Sequence, residues 1–257
     1  MSNVQRSPKI SSEQAMGQGE RRRAIAALVA VRCRVLFMVQ AYQTIHLQST
    51  SMLLANCKSL GHSGRMDAST EPQLAPPGAG LPRMELFIAR LRFGWQRRRG
   101  NREIFNARFQ RERAAVRVLI RRCDAESGAR RMLIRRVRGL EDSSRYWSVW
   151  MTLDHLRIVH GGVNRTIQSL AKGVVPPGKA STAAVKPSPQ VTSDVVADYE
   201  KSCDDLLATV AAIPDLATPV RFAHPWFGSL DASGWHALAS AHLAIHRVQI
   251  ERILDGL

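Results

Sequence analysis

Trp235-His-Ala-Leu-Ala-Ser-Ala-His242-Leu-Ala-Ile-His246-Arg-Val-Gln249-Ile250 is the stretch that decides the fold. At 100° per residue from Leu238, the apolar arc runs through Ile245, Trp235 and Ile253. His242 falls at about 40°, His246 at about 80° and Gln249 at about 20°, all inside that arc. Arg247 and Glu251 project from the other side. A spacing of four sets both imidazoles one turn apart on one helix face, where they can reach a single ion. The bland reading of a histidine on an apolar face is a satisfied core residue. Two of them with a glutamine beside them point instead to a ligand pair that needs a third member from a facing helix.

Working upstream, the same period recurs. Asp231 or Ser233 caps this final helix, which is expected to run to about Leu254. Val191 to Ile213 reads as a helix starting at a Thr192, Ser193 or Asp194 cap, and Gly173 to Gln190, with four prolines and two glycines, as a long crossover loop. A helix from about Ser144 to Ala171, capped by Asp142 or Ser143, carries the stripe Val149, Leu153, Leu156, Val159, Val163, Ile167 and Leu170, with Gly161-Gly162 as a bend. Arg102 to Cys123 is a further amphipathic helix. Long helical periods with few strand-like alternations give an all-α, four-helix bundle.

The second helix holds two candidates for the third ligand. His160 lies within the apolar stripe and His155 about 40° outside its edge, so periodicity favours His160. An edge residue can still face the seam between two helices, and both stay open at this level.

Charge is distributed unevenly. Residues 83–140 carry 18 Lys and Arg against 5 acids, whereas 141–257 carry 10 against 12. A basic block can serve phosphate contacts. However, Arg outnumbers Lys 31 to 6, and Arg102 to Arg138 has neither aromatic interleaving nor zinc-finger spacing. The block therefore reads as a solvated helical face, and a nucleic-acid partner is disfavoured. Cys33, Cys57, Cys123 and Cys203 show no C-x-x-C pairing, which suits reduced thiols and a cytoplasmic location.

Residues 1–82 read as a poorly structured extension ahead of a domain over 83–257. Ala24 to Tyr42 is apolar but interrupted by Arg32 and Arg34, each costing about 2.5–3.5 kcal/mol at a bilayer centre, so a membrane span is not expected. Arg21 to Val31 imitates a signal peptide without a small-residue cleavage site. Gly61 to Pro82 is linker-like, and a true start near Met66 or Met84 is the expectation.

Trp147-Ser-Val-Trp-Met-Thr-Leu-Asp-His155-Leu156, His224-Pro-Trp-Phe-Gly228 and the His242-x-x-x-His246 helix together resemble the DinB-like superfamily over about residues 102–257. The resemblance implies a four-helix bundle with a long crossover and a divalent metal, zinc or nickel, held by three histidines. The His-Leu dipeptide maps the first ligand onto His155, and the other two map onto His242 and His246. His224 and His236 have no ligand counterpart. His224-Pro-Trp-Phe is expected to pack its aromatics over the bundle end. Some members use a low-molecular-weight thiol as nucleophile, so a metal-dependent thiol S-transferase acting on a small electrophile is implied. A non-catalytic binding or stress-response module is the alternative. Neither the thiol, the electrophile nor a homodimer is fixed by these residues.

Overall fold

Most helices of the computed structural model, which describes residues 71–257, begin where the local sequence supplies a start signal. The readings on Ala24 to Tyr42, on Cys33 and Cys57, and on a start near Met66 lie outside the described residues. Helix α1 covers Arg83–Arg99 behind Pro82. Helix α2 covers Arg102–Ile120, where the Asn101 side chain accepts from the Ile104 backbone N–H at 3.0 Å. The short α3, Ala125–Ala129, has a reciprocal Asp124–Ser127 cap. Strands β1 (Met132–Leu133) and β2 (Tyr146–Trp147) pair antiparallel, with Met132 opposite Trp147. Helix α4, Val149–Ala171, is capped by Ser148, whose hydroxyl accepts from Met151 N at 3.1 Å. Helix α5 is Val195–Ala212. A hairpin of β3 (Phe222–His224) and β4 (Gly228–Leu230) precedes α6, Ala232–Leu254, where Asp231 accepts from Gly234 N at 2.8 Å.

Several boundaries differ from the periodic reading for identifiable reasons. The second long helix does not begin at Ser144 under an Asp142 or Ser143 cap. Residues 142–144 form a 3₁₀ turn, and the next residues enter β2, so the first free N-cap is Ser148. Gly161-Gly162 does not interrupt α4. The third helix starts at Val195 rather than Val191, with no side-chain cap from Asp194. Helix α2 ends at Ile120, before Cys123.

The bundle consists of α2, α4, α5 and α6. Helix α6 packs on both α2 and α4, and α4 packs on α5. Phe109, Leu153, Leu156, Ile167, Tyr199, Leu206, Leu243 and Ile250 are buried between them. Between α2 and α5 stands a charged seam. Arg113, only 4% exposed, donates to Asp204 at 2.6 Å and to Glu200, which also accepts from Arg117 at 2.7 Å. Other arginines of the basic block have similar duties: Arg136 pairs with Glu85, Arg97 with Asp231 at 3.2 Å, and Arg102 donates to Ile213 O at 2.6 Å. Part of the block read as a solvated face is thus committed to holding elements together.

Residues 71–82 lie against the 141–142 turn. Ala75 N donates to Asp142 at 2.9 Å, Gly78 N to Glu141 at 3.2 Å, and Leu81 is buried. Pro82 then leads directly into α1.

Gly128 is required by close approach. A Cβ there would stand 2.2 Å from a ring carbon of Trp150. That indole is held by its N–H to Ala125 O at 3.1 Å and cannot move aside freely. Gly128→Ala is expected to cost about 1–3 kcal/mol through overpacking, read as a fall of several degrees in Tm. An unchanged Tm would show that the contact relaxes.

Candidate metal centre

His242 and His246 stand one turn apart on α6, and His155 faces them from the second turn of α4. Their ligand atoms lie within 4.8 Å of one another; His155 and His246 are buried and His242 half-buried. The Nε2 atoms of His155 and His242 are 3.2 Å apart, and those of His246 and His242 are 3.0 Å apart. Donors about 2.0–2.1 Å from one ion, at 90–110° to each other, would be about 2.9–3.4 Å apart.

The surroundings fix two of the three tautomers. His155 Nδ1 lies 2.6 Å from the Val185 carbonyl, which only accepts, so Nδ1 carries the proton and Nε2 presents its lone pair. On His246, Nδ1 lies 2.6 Å from Gln249 Oε1. The Gln249 amide is oriented by donating its own N–H to Ser144 O at 2.7 Å, so its oxygen faces the ring. His246 Nε2 is thereby also left as an acceptor. His242 Nε2 can offer its one N–H to only one of these two lone pairs and leaves the other without a donor. Two fixed lone pairs and a third nitrogen converging on one point form a cradle for a cation.

Protonation is not an escape. Burial pushes His155 down to about 4, more than its bond to Val185 raises it. Burial, then the neighbouring imidazoles, hold His242 well below its ordinary value, and its Nδ1 is buried without a partner. Burial and His155 do the same to His246. The donor set is therefore three neutral imidazoles, which fits a divalent ion of borderline softness.

Neighbouring elements hold the set in place. Trp147, at the end of β2, lies with its ring parallel to His246 at 6.3 Å and 5.1 Å from that of His155. Asp154, next to His155, accepts from Ser188 N at 2.9 Å and so ties the 172–194 loop, including Val185, to α4. In the sequence Gln249 stands beside the pair, and its i+3 position from His246 is the signal for the duty it has here. Nothing in the sequence could have singled out the carbonyls of Val185 and Ser144.

His160 does not join the triad. It is wholly buried beside Phe109 and Tyr199, with Nδ1 3.2 Å from Ser202 Oγ and 3.6 Å from Cys203 Sγ. Cys203 is a buried thiol pushed up to about 12 by burial, in keeping with a core residue. His236 packs edge-on to Phe105. His224 stacks on Phe227 in the β3–β4 hairpin, which covers the end of α6 near Trp235. Glu251 pairs with Arg247.

A four-helix bundle with three histidines from two facing helices converging inside it defines the class of this protein. The DinB superfamily profile matches residues 108–250, more than half of the chain. The chain belongs to the DinB superfamily. A solved crystal structure described as a four-helix bundle protein is similar to it, with a TM-score of 0.44 and 22% identity over 59% of this chain and 98% of that one. No curated protein gives a significant match. No helix among the described residues is long and apolar enough to cross a membrane.

Proposed function

We propose that His155, His242 and His246 hold one divalent metal ion, zinc or nickel, and that the protein is a metal-dependent S-transferase joining a low-molecular-weight thiol to a small electrophile. The observation that carries the metal reading is the pair of lone pairs locked toward each other by Val185 O and Gln249. Held by three neutral ligands, such an ion keeps its full charge and, where a coordination position is open, lowers the pKa of a thiol or water.

The chain's own residues orient and shield. Gln249 and the Val185 carbonyl fix the two imidazoles, and Trp147 walls the site on one side. Among the described residues, the cluster contains only histidines, and the acid next to His155, Asp154, is engaged with Arg157 and Ser188 N. A hydrolysis of the HExxH kind, with its glutamate base, therefore lacks its acid–base group. A thiol needs only to lose its own proton, which favours thiol chemistry at a site built this way.

The test is turnover of a soluble electrophile, such as a chloro-nitrobenzene or an epoxide, with a panel of small thiols. The expected result is thiol-dependent turnover that is lost on chelation and restored by zinc or nickel. A protein that holds metal and shows no turnover with any thiol would stand instead as a non-catalytic member of the superfamily.

A further inference from the structure

Helix α1 lies outside the stretch matched to the superfamily and has two apolar faces. One is docked: Phe93 is buried with its ring 4.5 Å from that of Phe227, Arg97 reaches Asp231, and Arg90 donates to Trp226 O. The other is uncovered. Met84, Phe87, Ile88, Leu91 and Trp95 recur at helical spacing, and each is between 48% and 71% exposed. At 1.5 Å per residue they make a continuous ridge about 16 Å long. An apolar ridge of this kind on an otherwise polar surface marks an interaction site.

Charge selects the occupant. Arg83, Arg92, Arg98 and Arg99 flank the ridge and are exposed. The one acid of α1, Glu85, is engaged with Arg136 and Gly139 N. A second copy laid antiparallel on the ridge would bring arginines against arginines. Residues 1–70 are also basic, with 9 Lys and Arg against 3 acids. Neither self-occupant supplies counter-charge. A convex helix with a Phe, Leu and Trp face bordered by arginines is the form that lies in a lipid headgroup layer, its apolar side dipping in and its cations on anionic headgroups. The Arg99 guanidinium, 4.9 Å over the Trp95 ring, adds the amphipathic aromatic typical of that depth.

We propose that α1 docks the protein peripherally on an anionic lipid surface through this ridge. The experiment is co-sedimentation of the full chain with vesicles of phosphatidylcholine alone and of phosphatidylcholine mixed with phosphatidylglycerol. The full chain is expected to sediment with the mixed vesicles and not with the neutral ones. Phe87→Glu combined with Leu91→Glu should bind at least about tenfold more weakly, while circular dichroism and Tm stay unchanged because both side chains are exposed. As a second readout, brominated lipid should quench wild-type tryptophan fluorescence more than that of Trp95→Phe. Mixed-vesicle binding that survives the double substitution would assign the lipid contact to another basic part of the chain and overturn the proposal. So would an absence of vesicle binding, or a dimer in solution that the double substitution splits.

Discussion

Metal-free protein is expected to lose stability steeply between about pH 6.5 and 4. His160 and His236 are buried without a cationic form they can accommodate. Burial, with His155 and Arg113 adding to it, pushes His160 down to about 3, and burial, with Arg102, pushes His236 down to about 4. The unfolded chain takes up both protons as the pH falls below the ordinary value near 6.5, whereas the folded chain refuses them until much lower pH. Unfolding therefore absorbs protons across this window, and stability falls with acidity. These two groups alone, fully out of step, contribute about 2.7 kcal/mol per pH unit near pH 5, and the neutral imidazoles of the triad and His224 add to it in the same direction. Denaturant midpoints measured from pH 7.5 to 4.5 check it. His160→Gln should lower the slope by about 1.4 kcal/mol per pH unit, whatever its stability at neutral pH. A flat profile would mean that these rings are hydrated in solution.

The other large effect is on the triad itself. Replacing His155 or His246 by alanine is expected to weaken zinc affinity by more than about a hundredfold, beyond the 10–100-fold usual for groups that only orient a ligand. Gln249→Leu belongs to that lesser range, because it removes the acceptor that fixes His246 and leaves the donor nitrogen in place. His236→Ala and His160→Ala should leave affinity within a few fold, since neither ring reaches the triad. Competition titration against a chromophoric chelator measures all five. Equal losses for His160→Ala and His155→Ala would mean that the triad acts through stability rather than ligation.

How much of this was legible in the sequence depended on whether the residue's face was its only message. On α6 the histidine pair sat within a regular apolar arc, and its spacing alone placed both rings on one seam. On α4 the same logic pointed to His160 over His155. The reason is local: Val149 to Leu156 are eight consecutive buried residues, because the short α3, the 172–194 loop and α6 all pack against that helix. Periodicity carries no information where every face is covered, and His155 was reached only through its His-Leu match to a family.

The turn and strand at 142–147 were missed for a related reason. Asp142 and Ser143 are sound caps by residue type, yet tertiary pairing with Met132 and Leu133 draws the following residues into an extended conformation. Helix α1 drew attention only for its charge. With arginine at 83, 90, 92, 97, 98 and 99, the composition hid an apolar ridge that spacing would have shown. The backbone carbonyls that set the imidazole tautomers have no sequence signature at all.

The central claim is that three imidazoles, and no sulfur or carboxylate, hold one divalent ion. X-ray absorption at the metal edge of the zinc-loaded full chain tests it most directly, because nitrogen and sulfur scatterers separate by distance. The expected spectrum shows three imidazole rings at about 2.0–2.1 Å, falling to two in His242→Ala. A sulfur shell near 2.3 Å, or an imidazole count that does not change in His242→Ala, would contradict the account.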